Sequence, residues 1–384
     1  MDLNRIQTLQ LVSVRWWNAS AYYAISLCDA LTQSGFRSYA GGRGDSPPLV
    51  KARRRYDLPL FDIINLESLN PVTMVQSLAR LTRFIQNPTI SLVNAHRPED
   101  HIFAYLARQR SKRQIPLIRT ISDVRPPKDQ RFNRLLHEKT DFFIFTSKSS
   151  FDRYQSVWPI FQDNSAIIYG ALNTDQFQAD PQSSRLRQHL EIPESDILIG
   201  IVARLDPVKN HDMFLKAAAI LAAKVPNARF LIAGESCNIQ MDTLREQALG
   251  LGIEERCHFM ERTPEWSARE LIAALDIGVV TSRGSEVICR VAAEYMAMGK
   301  PVVVTDVNVL PEMVDDGING FVVGNSDHQT LARRLELLCF NPEVRLHMGR
   351  EARRYAEERF SYSTLVEKTL EVYAMLLRRG ETLL

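Results

Sequence analysis

Short apolar runs alternate with longer segments of helical period along this chain, and the alternation runs through twice. In the first half the runs are "LQLVSV", "FRSYAGG", "ISLVNAH", "IPLIRTIS" and "DFFIFTS", separated by "AYYAISLCDALTQSG" and "EDHIFAYLARQRSKR" and followed by "SSFDRYQSVW". After "SAIIYGALNTDQF" and a polar stretch from Gln178 to Asp196 the pattern restarts with "ILIGIVARL", "ARFLIAGE", "CHFME", "DIGVVTS", "PVVVTD" and "GFVVG", again with helical segments between them. Alternation of this kind predicts a parallel sheet covered by helices on both faces. Its recurrence predicts two doubly wound α/β domains in tandem, with a boundary near Tyr169 to Thr174. Length agrees, since 384 residues exceed one comfortable core and suit two domains of roughly 150–200 residues each. The last two amphipathic segments have no strand between them and read as a helical tail. In such sheets the loops at the carboxyl ends of the strands make the binding crevice, so two facing domains are expected to share one interdomain cleft.

Composition narrows the class further. The apolar runs are strand-sized and far short of the roughly 20 residues that span a bilayer. The start, "MDLNRIQTLQLVSV", has none of the basic region, long apolar core or small-residue cleavage site of a secretory leader, so the cytoplasm is the expected compartment. Five cysteines, Cys28, Cys237, Cys257, Cys289 and Cys339, are scattered and lack a CxxC pair. They are expected to be reduced packing residues rather than a disulfide framework or a zinc site. Charge is uneven: residues 1–169 carry 23 Lys and Arg against 14 Asp and Glu, and residues 170–384 carry 24 against 31. The excess lies in "KARRRY" (51–56), "RQRSKR" (108–113) and "RPPKDQRFNR" (125–134). A solvated surface accounts for it, and so does attraction to anionic lipid headgroups or an anionic acceptor. No motif or aromatic stacking pattern for nucleic acid accompanies the charge.

Two segments carry candidate chemistry. "VARLDPVKNHDMF" (202–214) leaves a strand, sets Arg204 and Lys209 in the following loop, and enters a helix with Asn210 or Asp212 available as its cap. Two cations beside the backbone amides of a helix N-terminus suit a diphosphate. There is no GxxxxGK[ST] and no GxGxxG, so the usual ATP and NAD modes are not implied. "SEVICRVAAE" (285–294) stands in the equivalent place after "DIGVVTS" and reads as the opening of a helix. On that helix Glu286 lies in the loop or first turn and Glu294 about 12 Å further along, at 1.5 Å rise per residue. Glu294 falls within the apolar series Val291, Ala292, Ala293, Met296, Ala297, where a buried carboxylate needs a partner.

Together "RLDPVKN", the E-x7-E pair about eighty residues later, "GKPVVVTD", "PEMVDDGINGFVV" and "IIYGALNTDQF" resemble the retaining family 4 glycosyltransferases of the GT-B fold. "WWNASAYYAISLCDAL", "NAHRPEDHIFAYLAR" and "RTISDVRPPK" look like bacterial members that act on cell-surface polysaccharide or lipopolysaccharide. The likeness covers nearly the whole chain. It implies an acceptor-binding domain over 1–169, with a C-terminal helix, 360–384, packing back on it, and a nucleotide-sugar-binding domain over 170–359.

The resemblance also assigns roles. Arg204 and Lys209 would neutralise the donor diphosphate as the bond to the sugar breaks, Glu294 would hold the nucleotide ribose, and Glu286 would contact the donor sugar. His96, at a strand end, would lie near the reacting centre. Trp17, Asn18, Arg97, Asp123 and Arg125 fall on the acceptor side, with Trp16 and Trp17 either packing or stacking on a sugar ring. Arg262 and Thr263 belong to the segment expected to meet the base. Arg290 stands within the E-x7-E pair, where it could balance either glutamate or face a sugar or phosphate. Stabilisation of the leaving diphosphate is then the main catalytic term, with no cofactor and no metal required. The implied partners are a nucleotide-sugar donor, a glycan or lipid-linked acceptor and anionic lipids of the inner leaflet. Val287 and Ile288 replace the glycine and aromatic residue of many relatives, which leaves the donor sugar open, and "IYGALNTDQF" replaces their usual hinge sequence. The competing readings are a GT-B-type epimerase or phosphorylase and a binding scaffold without turnover.

Overall fold

A computed structural model describes residues 6–159, 162–178, 184–263 and 265–382. The opening residues 1–5, on which part of the leader reading rests, and part of the polar stretch after Gln178 lie outside them. The chain divides into two compact units, Met1–Ala171 with Tyr362–Leu384, and Leu172–Ser361.

The first unit holds a seven-stranded sheet. Its strands are β1 (Gln7–Leu11), β2 (Arg37–Gly41), β3 (Leu60–Phe61), β4 (Ile90–Ala95), β5 (Leu117–Ile121), β6 (Phe142–Phe145) and β7 (Ser165–Ile167), in the order β3-β2-β1-β4-β5-β6-β7. Every pairing is parallel. The two faces differ in chemistry. Leu9 and Leu11 join Phe61, Leu81, Ile85, Val93, Phe103 and Leu117 in an apolar core. The alternate positions Thr8, Gln10, Ser38, Asn94 and Thr120 are equally buried but polar. Their desolvation is offset by hydrogen bonds to one another: Thr8 Oγ1 donates to Ser38 Oγ at 2.8 Å, Thr120 Oγ1 to Asn94 Oδ1 at 2.9 Å, and Gln10 Nε2 to the hydroxyl of Tyr373 at 3.1 Å. Tyr373 stands on the helix Tyr362–Thr382, which packs beside the helix Ala19–Gln33.

The second unit holds a six-stranded sheet of β8 (Ile197–Val202), β9 (Ala228–Gly234), β10 (Cys257–Glu261), β11 (Ile277–Val280), β12 (Val302–Thr305) and β13 (Gly320–Val323), in the order β10-β9-β8-β11-β12-β13. These pairings are parallel too. β8, β11 and β12 are buried along their whole length, which explains why they appear in the sequence as continuous apolar runs rather than alternating ones. At Gly278 a Cβ would come within 2.5 Å of the Tyr295 ring. The missing side chain lets that ring lie on the sheet, where its hydroxyl accepts a hydrogen bond from the Val202 amide at 2.8 Å.

The alternating pattern placed most of these strands, and it passed over the region between "FRSYAGG" and "ISLVNAH". That region forms the helix Pro47–Tyr56, the two-residue β3 and the helix Pro71–Gln86. The tail contains the helices Pro342–Arg359 and Tyr362–Thr382 with no strand between them. Cys28, Cys289 and Cys339 are buried, but Cys237 is exposed and is not a packing residue. No helix among the described residues is long and apolar enough to cross a membrane.

Candidate functional site

Strand order reverses direction between β8 and β11 in the second unit, and between β1 and β4 in the first. Loops leaving adjacent strands on opposite sides of such a switch point splay apart and open a crevice at the carboxyl ends of the strands. The candidate residues of the second unit lie there.

After β8 the chain passes through Ala203 and Arg204 and is pulled close to the end of β9. A Cβ on Gly234 would fall 1.7 Å from the Ala203 carbonyl oxygen, so this approach requires glycine. Arg204 is exposed and makes no hydrogen bond or ion pair among the described residues. Asp206 then caps the single turn Pro207–Lys209, accepting from the Val208 amide at 3.0 Å and from Asn238 Nδ2 at 2.7 Å. The Val208 bond holds its carboxyl pKa below the ordinary range, with Asn238 and the nearby Arg204 and Lys209 adding to the effect. Of the two caps the sequence offered, Asn210 stands at the N-cap position of the helix His211–Ala222 but makes no side-chain cap bond, and Asp212 lies in the first turn. The Asn210 backbone is left-handed (φ 56°) and its side chain turns instead to the Asn325 carbonyl.

The loop after β11 is bound to this one. Thr281 Oγ1 donates to the Lys209 carbonyl at 2.9 Å, and the Arg283 amide to the Val208 carbonyl at 2.8 Å. Across the junction the Lys209 ammonium pairs with the Glu286 carboxylate, which also accepts from Ser282 Oγ at 2.6 Å. Burial works against the charged ammonium. Glu286, by charge and by hydrogen bond, outweighs that cost and holds the Lys209 pKa above its ordinary value.

The helix expected from Ser285 begins at Arg290. Glu286 therefore sits in the loop, eight residues of continuous helix do not separate it from Glu294, and the 12 Å spacing does not apply. The cause is local: Ser285 is left-handed (φ 65°), and the Glu286 carbonyl is held by the Val309 amide at 3.1 Å instead of by a helical partner. Glu294 is 3% exposed, and its partner is Arg290, whose Nε donates to Oε1 at 2.5 Å. Of the two glutamates, Arg290 thus pairs with Glu294. Arg262 and Thr263 follow β10 and are exposed. Arg262 lies 3.8 Å from Glu235, and Thr263 Oγ1 accepts from the Trp266 amide at 3.2 Å.

In the first unit the loops after β1 and β4 are joined likewise. The Ser13 amide donates to both carboxylate oxygens of Asp100 at 3.2 Å, and Arg97 donates to the Ser13 carbonyl and pairs with Glu99 at 3.2 Å. His96 is buried, with Nε2 3.1 Å from Gln10 Oε1 and Nδ1 without a hydrogen-bond partner among the described residues. Burial, then the charge of Arg119, lowers its pKa to about 3, so the ring is neutral near pH 7. Asn18 caps the helix Ala19–Gln33, accepting from Ala21 at 3.0 Å. Trp17 packs against its apolar neighbours with Lys51 Nζ 3.8 Å over its ring, whereas Trp16 is exposed. Asp123 and Arg125 form a two-point ion pair with each other, at 3.1 and 3.0 Å.

The structure thus brings Lys209, Glu286 and Arg204 to one switch point and His96 and Arg97 to the other, while Asp123 and Arg125 satisfy each other. Sequence reading missed Ser282, Thr281, Asp206, Gln10 and Asp100. Of these, Asp206 had a visible signal, an aspartate just before a proline, which is a frequent cap.

Comparison with known proteins follows the division into units. Residues 20–176 match the family model described as Glycosyltransferase Family 4, and residues 182–355 match the one described as Glycosyl transferases group 1. The chain is 31% identical over 210 residues to the putative glycosyltransferase EpsD of Bacillus subtilis (strain 168), covering 54% of each protein. It is 32% identical over 257 residues to a D-inositol 3-phosphate glycosyltransferase of Saccharomonospora viridis, covering 64% of this chain and 58% of that one. The matched regions thus span little more than half of these relatives. The crystal structure of Anabaena Alr3699/HepE in complex with UDP and glucose superposes with a TM-score of 0.78 at 20% identity, covering 96% of this chain and 99% of that one. The two Rossmann-like domains expected of a GT-B protein are present, and the fold is shared.

Proposed function

We propose that this chain, which stands among the GT-B glycosyltransferases by its two family matches and its fold, transfers a sugar with retention from a nucleotide-diphosphate sugar to a glycan or lipid-linked acceptor of the cell envelope. The observation that carries this reading is the convergence at the β8/β11 switch point. An exposed Arg204, without an ion pair among the described residues, and a charged, half-buried Lys209 stand beside a loop carboxylate. Cations fixed in place before reaction stabilise charge as it develops on a leaving diphosphate without further reorganisation.

In this reading Arg204 and Lys209 take the diphosphate, and Glu286 gives up part of its hold on Lys209 to meet the sugar hydroxyls. Glu294, aimed by its ion pair with Arg290, receives the ribose hydroxyls, while backbone groups near Arg262 and Thr263 meet the base. The acceptor belongs to the first unit, to which Trp17, Asn18, Arg97, Asp123 and Arg125 contribute, with the neutral, buried His96 just after β4. The acceptor hydroxyl attacks the anomeric carbon from the face the diphosphate leaves, the carbon–oxygen bond to phosphate breaks as the new one forms, and the departing phosphate oxygen takes the proton. No side-chain nucleophile and no metal take part. The complex of Alr3699/HepE with UDP and glucose supports a nucleotide-sugar donor.

A phosphorylated polyol is a second reading of the acceptor, favoured by relatives named D-inositol 3-phosphate glycosyltransferase and by the positive first unit. The test is an acceptor and donor screen in EDTA with NMR of the product. An α-linked product from an α-linked donor supports the reading; inversion, or donor epimerised without transfer, contradicts it.

A further inference from the structure

β10 ends on Glu261, an exposed carboxylate level with Gly234 of β9. Ser236, in the loop after β9, donates its hydroxyl to Glu261 Oε1 at 2.8 Å. Among the described residues no other hydrogen bond or ion pair reaches this carboxylate, and the adjacent cation, Arg262, lies 3.8 Å from Glu235 instead. A neutral hydroxyl thus aims one oxygen, and Oε2 keeps its full capacity to accept.

The Ser236 loop is laced to the loop that carries Arg204. The Leu205 amide donates to the Glu235 carbonyl at 2.9 Å, and the Leu205 carbonyl accepts from the Asn238 and Ile239 amides at 3.1 and 3.0 Å. Asn238 Nδ2 also donates to Asp206 at 2.7 Å. Glu261 therefore keeps a fixed offset from the cations after β8. Gly234, at the end of the strand between β8 and β10, lies against the Ala203 carbonyl, so the offset is two strand spacings, about 10 Å. A nucleoside bridges such a distance from its phosphate to the pairing edge of its base.

The chemistry of the carboxylate selects among bases, because it accepts hydrogen bonds and donates none. Guanine sets two donors side by side, N1–H and the 2-amino group, which match the two oxygens of a carboxylate. Uracil offers a single N3–H flanked by two carbonyls. Adenine and cytosine set a ring nitrogen, itself an acceptor, beside their amino group. A carboxylate facing any of these three meets at least one repelling lone pair.

We propose that Glu261 reads the base of the donor and that the donor is a guanosine-diphosphate sugar, with Ser236 holding the carboxylate toward the N1 and 2-amino edge. This role rests on the proposed donor site at Arg204 and Lys209.

The experiment is calorimetric titration of the full chain with GDP, UDP, ADP, inosine diphosphate and xanthosine diphosphate. GDP is expected to bind roughly tenfold or more tightly than UDP, ADP or inosine diphosphate, whose base lacks the 2-amino group. Glu261→Gln, at an exposed position, should leave the thermal midpoint in place. It should bring GDP down to the level of inosine diphosphate and strengthen xanthosine diphosphate, whose carbonyl in place of the amino group accepts from the new amide. Ser236→Ala should narrow the ratio of GDP to inosine diphosphate while leaving UDP and ADP unchanged, which a merely structural role would not do. Wild type that binds UDP or ADP as tightly as GDP overturns the assignment while the diphosphate site stands, and so does Glu261→Gln with the wild-type ratio of GDP to inosine diphosphate. Absence of binding by every diphosphate overturns the donor site and the base reading together.

Discussion

Lys209 and Glu286, 77 residues apart, form an ion pair that joins the loop after β8 to the loop after β11. A side chain proposed to take a phosphate is thus already matched by a carboxylate. The pair keeps both charges from being stranded, and it holds the ammonium where a diphosphate would exchange for part of the carboxylate's contact.

Lys209→Ala and Arg204→Ala are therefore expected to differ in stability while both weaken nucleotide binding. Removing Lys209 leaves Glu286, 4% exposed, with only the uncharged side chains of Ser282 and Cys289 beside it among the described residues. Breaking a buried pair from one side costs on the order of 3 kcal/mol. Arg204 is exposed and has no ion pair among the described residues, so its loss should change stability by less than about 0.5 kcal/mol. Urea unfolding of the two variants checks this, and Lys209→Ala/Glu286→Gln should recover part of the loss.

The pH dependence of that pair has a definite sign. The folded pKa of Lys209 lies above its ordinary value of 10.5. Its contribution is complete below the unfolded value and disappears as pH rises through the folded one. Stability lost between wild type and Lys209→Ala should thus be constant from pH 6 to 9 and shrink above about pH 10.5, as urea midpoints across that range will show.

His96 is expected to hold its proton on Nε2. Thr8 spends its hydroxyl hydrogen on Ser38, so it accepts from Gln10 Nε2 at 3.2 Å, which turns Gln10 Oε1 toward His96. Nitrogen-15 spectra should show one neutral tautomer from pH 5 to 8, and Gln10→Leu should mix the two. With folded pKa values near 3, His96 and His101 lose their contribution as pH falls below 6.5. Asp100, raised to about 6 by burial, works in the opposite direction, because its folded carboxyl keeps a proton that the unfolded chain releases.

Gly234→Ala should displace the Arg204 loop. Its new Cβ would meet a backbone oxygen, which cannot rotate away as a side chain can. A cost of roughly 2–4 kcal/mol is expected, with weaker nucleotide binding than at the equally buried but distant Ala248→Gly, measured by denaturation and titration together.

Continuous apolar runs made β8, β11 and β12 legible, since strands covered on both faces leave no other pattern. The region 47–86 was not legible, for two reasons. β3 has two residues and cannot show an alternation. In the helix Pro71–Gln86, Val72, Met74 and Val75 face solvent while Leu78, Leu81, Phe84 and Ile85 pack inward, so apolar residues on the outer face blur the stripe that marks a helix. At the site, the charges and spacing of Arg204, Lys209, Glu286 and Glu294 were visible. Ser282 and Gln10 were not, because their roles exist only once distant strands are adjacent. The helix start at Arg290 was misjudged because a left-handed serine carries no signal in residue type.

The nucleotide-diphosphate site proposed at Arg204 and Lys209 is tested by calorimetric titration of UDP, GDP, ADP and CMP in EDTA against wild type and Arg204→Ala. One diphosphate should bind to wild type, CMP should bind far more weakly, and Arg204→Ala should lose roughly tenfold or more, as expected for a charge-assisted contact. No binding of any diphosphate at millimolar concentration, or equal binding by Arg204→Ala, would contradict it.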